Sequence, residues 1–270
     1  MKIHKITDEY RPHLGAVGYL FYYENARRFY IEIPDGLSFE DAPMMIDQYI
    51  RRGINYVDAQ WSLRWVSGRI VPRDRQNIGQ VLRDAGLTEY DEYRLLVLCD
   101  GRCAQDDCRI DPISEEELPA EIRERTGSRV CSVTPLDGFR LLVFFRDGTS
   151  VVCDLPKLVR GDRRFNPVRN DESIFRRVHI YAGGYSIGWG EELEIADYIL
   201  RKKGEPSTLT MKDMRLFIDH EAVDTAETAR RLNCTRQNID DLVKRGRLNP
   251  IKVGAKNKLF LGSEVEERLW

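Results

Sequence analysis

The chain has little of what disulfide-built, metal-built or membrane proteins depend on. Its six cysteines, at 99, 103, 108, 131, 153 and 234, follow no regular spacing. That excludes a disulfide framework and fits reduced, packed thiols in a cytoplasmic protein. Four histidines, His4, His13, His179 and His220, lie in separate regions, so no pair of them announces a general base. No apolar run approaches the roughly 20 residues a membrane helix needs, and the N-terminus lacks a signal peptide's apolar core. Neither sign of charge dominates: 42 Lys and Arg stand against 44 Asp and Glu, net -2. Any phosphate-binding role must therefore rest on a local basic face rather than on the whole chain. Internal repeats and low-complexity segments are absent as well. What is present is a mixture with 42% hydrophobic and 32% charged residues over 270 positions, enough for two or three small domains.

The most informative stretch is the last, 222–270. Asp224, with Glu227 three residues on, is a carboxylate version of a capping box. Ala226, Ala229 and Leu232 then recur on one helical face. Asn233-Cys234 makes a tight turn, and Thr235 can cap a second helix with Ile239, Leu242 and Val243 on its inner face. Gly246 after Lys244 and Arg245 marks that helix's C-terminal end. Ile251, Val253, Leu259 and Leu261 flank Gly254-Ala255-Lys256-Asn257 as a hairpin, and Ser263 with Glu266 is a further capping box opening a closing helix. Two short helices with apolar inner faces, followed by a hairpin, predict a winged helix-turn-helix.

This order resembles the DNA-binding domain of excisionase and MerR-type regulators, over under a fifth of the chain. The matching pieces are Lys244-Arg245-Gly246-Arg247-Leu248 at the end of the recognition helix and Lys252-Val253-Gly254 in the wing. The resemblance implies Arg236, Gln237 and Asp240 or Lys244 on base edges, Thr235 and Arg245 on phosphate, and Lys256 or Lys258 on the wing. Arg247 and Lys252 complete the expected DNA-binding set. Charge agrees with such a partner: from Thr225 to Lys258 there are nine basic residues against Glu227, Asp240 and Asp241. Asp240 and Asp241 run against it, since two carboxylates near a groove repel phosphate.

Two polar stretches divide the rest. Ser114 to Gly127 is expected as a charged linker, and Gly204-Glu205-Pro206-Ser207-Thr208 as a second boundary before a connecting helix over 210–221 with Met214, Phe217 and Ile218 as its stripe. The expected organisation is an N-terminal α+β domain (1–113), the linker (114–127), a small α+β domain (128–203), a linker and helix (204–221), and the winged helix-turn-helix (222–270). In the middle domain Arg140 to Phe145 turns at Asp147-Gly148 into Ser150 to Asp154, and His179-Ile180-Tyr181 turns at Gly183-Gly184 into Tyr185 to Trp189.

That middle pattern resembles the bacterial family known as domain of unknown function 2442. The residues carrying it are Pro135-Leu136, Leu141 to Phe145, Asp147-Gly148, Asp154-Leu155, Phe175 to Val178, Ser186 to Trp189, and Glu192 to Ala196. The resemblance implies a small α+β fold, often encoded beside toxin-like proteins, with no established catalytic residues. In the first domain, Val17 to Phe21 and Phe29 to Ile33 read as a strand pair joined by Glu24-Asn25-Ala26-Arg27, and Phe39 to Arg52 as a helix. Its latter part, Ile70-Val71-Pro72, Ile78 to Leu87 and Gly101-Arg102 to Ile110, loosely resembles the N-terminal subdomain of HipA-type toxin kinases. The kinase's phosphate-binding and catalytic segments have no counterpart downstream, so kinase activity is not carried over.

Other constellations carry less. Cys99, Cys103 and Cys108 beside Asp106 and Asp107 have the first spacing of a zinc site but lack a fourth ligand. Gly184-Tyr185-Ser186-Ile187-Gly188 has the letters of a hydrolase nucleophile elbow, yet a hairpin is not the strand-to-helix turn that motif requires. Arg69, Arg73 and Arg75 with Gln76 and Asn77 can hold an anion or simply open a solvated helix. Tyr19, Phe21, Tyr22, Tyr23, Phe29, Tyr30, Trp61 and Trp65 suggest an aromatic core or an interface. The sequence thus predicts a non-enzymatic, cofactor-free regulator of duplex DNA, acting as a homodimer or with a neighbour-encoded protein, in the concrete form of an antitoxin-like autorepressor. The alternatives are a protein-binding adaptor, an excisionase-like architectural protein, or an enzyme with its site in the N-terminal domain.

Overall fold

In the computed structural model the chain is a mixed α+β protein, 39% helix and 25% strand, with several small antiparallel sheets. All residues are described except 207 and 255–257. Two compact units divide the chain, Met1–Arg125 and Thr126–Trp270. Among the described residues no helix is long and apolar enough to cross a membrane.

The first unit is an antiparallel sheet with helices packed on it. Its strands are β1 (Lys2–Asp8), β2 (Ala16–Tyr23), β3 (Arg28–Glu32), β4 (Tyr56–Val57) and β5 (Cys108–Ile113), in the order β4-β3-β2-β1-β5. Four helices interrupt them: α1 (Ile46–Arg51), α2 (Ala59–Ser67), α3 (Ile78–Asp84) and α4 (Glu92–Leu98). Much of the aromatic cluster is core. Phe21, Phe29, Tyr30 and Trp65 are buried, and Tyr22 stacks between Phe29 and Tyr93 at 4.5 and 4.4 Å. The helix expected from Phe39 starts only at Ile46, because Pro43 lies ahead of it and Met45 takes a positive φ of 79°, a conformation a helix cannot continue through. The segment expected as a charged linker is folded instead. Ser114 and Glu117 form a capping box, and helix α5 (Ala120–Thr126) buries Ile122. Arg125 donates to the Ile33 carbonyl and pairs with buried Glu32 at 3.3 Å. Two apolar anchors, Leu118 and Ile122, outweigh the segment's high charge.

The second unit opens with β6 (Val130–Leu136), β7 (Arg140–Phe145) and β8 (Ser150–Asp154), joined by positive-φ turns at Gly138 and Gly148. Short helices α6 (Leu155–Leu158), α7 (Asn166–Asn170) and α8 (Glu172–Phe175) lead to β9 (His179–Ile180), β10 (Ser186–Trp189) and β11 (Leu193–Ala196). The two sheets close over Leu141, Val143, Phe145, Ile187 and Trp189. The β9–β10 turn requires Gly184: φ is +75°, and a Cβ there would sit 2.1 Å from the Val130 carbonyl oxygen. Helix α9 (Asp197–Lys203) follows, and β12 (Glu205–Pro206) adds to the edge of β8.

The C-terminal stretch belongs to this same unit rather than following a linker. Helix α10 (Met211–Glu221) is capped by a Thr210–Asp213 box and packs on β6, with Phe217 against Phe144 at 5.4 Å. Beyond it come β13 (Ala222–Asp224), α11 (Thr225–Arg231), α12 (Arg236–Lys244), β14 (Lys252–Val253), β15 (Lys258–Leu261) and α13 (Gly262–Glu266). The last residue, Trp270, packs against the core of the two sheets, and Arg146 pairs with Glu267 at 2.9 Å.

Glu221 fastens this junction. It is 3% exposed and accepts from the Ser132 hydroxyl on β6 and the Ser263 amide on α13, both at 3.1 Å. His220 lies 3.3 Å away. Removing the carboxylate strands two buried donors, each worth about 1–3 kcal/mol when left unmade. Glu221→Ala is therefore expected to destabilise the second unit by about 2–3 kcal/mol, and Glu221→Gln by less. Urea unfolding followed through tryptophan fluorescence checks this; an alanine variant with an unchanged midpoint contradicts it.

Candidate nucleic-acid interface

The C-terminal helices form from local signals that the structure largely realises. Asp224 accepts from the Glu227 amide at 2.8 Å and caps α11. The reciprocal half of the expected box is missing, because the Glu227 carboxylate is taken by Arg231, at 2.9 Å, and by Arg230. Asn233 then adopts φ 47°, and the Cys234 amide reaches back to the Ala229 carbonyl at 2.9 Å. That is the Schellman closure, with asparagine in the left-handed position. Thr235 caps α12 by accepting from the Asn238 amide. At its far end Gly246, at φ 65°, donates to Val243 while Arg247 donates to Leu242 at 2.8 Å. Both turns are therefore fixed by backbone bonds, and they hold the two helices against one small core of Val223, Ala229, Ile239, Leu248, Phe260 and Val265.

Two details depart from the sequence reading. Ala226, expected on the inner face of α11, is exposed, while Thr228 and Ala229 are buried. Ser263 does not cap α13; its amide donates to Glu221 and it lies inside the helix. The hairpin forms by Lys252↔Leu259 and Val253↔Lys258 pairing, and β15 continues the sheet onto β13. Its buried residue is Phe260, whereas Ile251 and Val253 are 52% and 66% exposed. The hairpin therefore presents two bare aliphatic side chains beside its lysines.

Helix α12 buries Ile239 and half-buries Leu242 and Val243, so helical spacing fixes the rest. Gln237, Asp241 and Lys244, at i, i+4 and i+7, lie along the outward line. Arg236 and Asp240 share one flank, Asn238 and Arg245 the other. Thr235 is committed to capping. Arg236, Gln237, Lys244, Arg245, Arg247 and Lys252 are exposed, and Lys256 lies outside the described residues. Arg236, Arg245, Arg247 and Lys252 have no ion-pair partner among the described residues. Asp240, expected at base edges, is instead engaged by Lys258 Nζ across the helix–hairpin gap. The hydrogen bond and the positive charge of Lys258 hold its carboxyl below the usual range. Asp241 sits 3.7 Å from Lys244 Nζ. Sequence spacing did not reveal that each carboxylate meets its own cation; the Asp240–Lys258 contact joins residues eighteen apart and depends on where the hairpin folds back.

Behind α11 a cleft of about 390 Å³ is lined by Val133, His179, Leu216, His220, Arg231 and Glu266. Burial would raise the Glu221 carboxyl, but hydrogen bonds from His220 and Ser263 outweigh it and leave the group below its ordinary value. Glu266 goes the other way. Burial raises it, Arg231 opposes, and the Glu221 charge adds to the rise.

The remaining constellations do not converge. Arg69 lies inside the first unit, 3.5 Å over the Trp65 ring and paired with Asp106. Arg75 binds Asn77 at 2.8 Å, and Arg73 lies over Tyr90. Cys108 is buried, its thiol pushed up to about 12 by burial and the Asp106 charge. Among the described residues no three His, Cys, Asp or Glu side chains gather where a metal could sit. Ser186 lies within antiparallel β10 and donates to Glu194 at 2.7 Å, far from the elbow geometry its motif suggested. Compared with models of protein families, with curated proteins and with solved structures, the chain shows no match.

Gly246→Ala meets no atom within 4 Å, so its cost is backbone strain alone, about 1 kcal/mol, read as a lower thermal midpoint. For the carboxyls the signs oppose. Glu266, raised above 4.5, favours the fold when protonated, so stability rises as pH falls toward 4.5 and then levels. Glu221, lowered from 4.5, contributes stability that is lost as pH drops further. Glu266→Gln should abolish the acid-side rise and Glu221→Gln should diminish the loss below it, in thermal unfolding across about pH 3–7.

Proposed function

We propose that 222–270 is a winged helix-turn-helix that binds duplex DNA, and that the chain is a sequence-specific transcriptional regulator. The observation that carries this reading is α12. It is a nine-residue helix, about 13 Å long, with one buried face and an outward line of Gln237, Asp241 and Lys244 flanked by Arg236 and Arg245. A helix of that length fits a major groove, where such side chains reach base edges and phosphates. The hairpin carrying Lys252 and Lys258 lies alongside as a wing. On this reading Gln237 and Arg236 meet bases, while Arg245, Arg247 and Lys252 meet phosphate. Asp240 leaves the set of base-reading residues because Lys258 occupies it.

The finer form, an antitoxin-like autorepressor working as a homodimer or with a protein encoded beside it, rests on the sequence resemblances of the first and middle segments. A second reading is favoured by one specific feature. Asp241 on the outward line of α12, with exposed Ile251 and Val253 on the hairpin, suits a protein partner better than a phosphate surface.

Fluorescence anisotropy on a duplex from the chain's own upstream region separates the two. DNA binding predicts affinity falling linearly on a log–log salt plot. Arg236→Ala with Arg245→Ala should weaken binding and reduce the slope by about 2 if both meet phosphate, or by about 1 if Arg236 meets a base. No binding at low salt, with co-purification of a neighbour-encoded protein, supports the adaptor.

A further inference from the structure

We infer that Asp240 is a specificity-determining residue that acts through Lys258, standing in for a DNA phosphate while the protein is free. The inference rests on the DNA-binding reading of α12. Lys258 begins β15, where its amide and carbonyl both meet the Thr225 hydroxyl at 3.4 Å, so its backbone is held to the start of α11. Its side chain is only 28% exposed and crosses to Asp240, which is 48% exposed. The amine on the hairpin is thus already neutralised by the helix it flanks. A backbone phosphate that recruits Lys258 must take it from Asp240, and leaves a bare carboxylate close to the phosphate. That cost weighs most on a random duplex, where binding rests on phosphate contacts alone. On a correct site, base-edge contacts from Gln237 and its neighbours hold the helix without recruiting Lys258, so the Asp240–Lys258 pair stays closed. Asp240 thereby lowers the sequence-independent part of binding more than the specific part, which is how discrimination is gained by an unfavourable element. The Lys244–Asp241 pair, at 3.7 Å and with both side chains mostly exposed, is too loose to act in the same way.

The test uses the full chain, a 24-bp duplex of scrambled sequence and the upstream-region duplex, each titrated by anisotropy across salt. Asp240→Asn keeps the shape and removes the charge. It should tighten binding to scrambled duplex by roughly 5–20-fold at low salt, steepen the salt slope by about 1, and narrow the gap between the two duplexes. Lys258→Gln should weaken binding. In the Lys258→Gln background, Asp240→Asn should tighten binding clearly less, because only the repulsion of the bare carboxylate is left to relieve and no amine is released. Equal tightening in both backgrounds would mean plain repulsion of phosphate and overturns the inference, as does unchanged or weaker binding by Asp240→Asn. If the parent binds the upstream duplex while the variants behave in either of those ways, the DNA-binding reading stands and this inference alone falls. Binding of neither duplex by any of the proteins removes both.

Discussion

Glu221 ends one helix, touches the sheet below it and receives the amide of a helix forty residues further on. A carboxylate so enclosed is costly unless its lone pairs are used, and it uses them to bind two separate elements. Ser132 comes from β6 and Ser263 from α13. Hydrogen bonds from His220 and Ser263 hold the Glu221 carboxyl below the ordinary value in spite of burial. The two serine contacts hold the C-terminal helices to the sheet on one side, while Arg146–Glu267 and the packing of Trp270 hold them on another. The orientation of α12 follows from this attachment, since α12 is held through α11 and the hairpin core.

This attachment alters the meaning of the basic face. A reading helix on a flexible tether is positioned by DNA alone, and its partner domains matter only through local concentration. A helix mounted on a packed stem is aimed by the body to which the stem belongs. Glu221 ties β6, α10 and α13 together at one point. The cleft behind α11 lies beside that junction, with the Glu266 carboxyl raised by burial and the Glu221 charge against the opposing charge of Arg231. Arg231 answers to Glu227 on α11 and Glu266 on α13 at once.

Local signals in the sequence were enough to find the helix ends. Asp224, Thr235 and Gly246 act through bonds within a few residues, so spacing reveals them. The same holds for the hairpin turns at Gly148 and Gly183-Gly184. Contacts distant in sequence were not legible. Segment 114–127 reads as a linker by charge, yet two buried side chains decide its fate. Ser263 has the spacing of a cap, but Glu221, forty-two residues away, claims its amide. Phe39 to Arg52 has helical periodicity, and a single positive φ at Met45 shortens it. At the candidate interface the residue types were readable and their pairing was not, because Asp240 and Lys258 meet only after the hairpin folds against α12.

The charge balance of α12 is consequently a tertiary property. Counted along the sequence, nine basic residues face three acidic ones between Thr225 and Lys258. Counted on the folded surface, Arg230 and Arg231 answer Glu227, Lys258 answers Asp240 and Lys244 leans toward Asp241. Among the described residues the cations left over are Arg236 at the start of the helix and Arg245, Arg247 and Lys252 at its end and on the hairpin. They bracket the outward line rather than covering it. On the proposed DNA-binding reading, a surface of that kind puts phosphate contact at Arg245, Arg247 and Lys252 and base readout at Arg236 and Gln237, and it suits a diffuse polyanion poorly, because the middle of the helix offers no net charge. On that reading, the acidic pair that runs against DNA in the sequence confines phosphate contact to the C-terminal end of α12 and the hairpin.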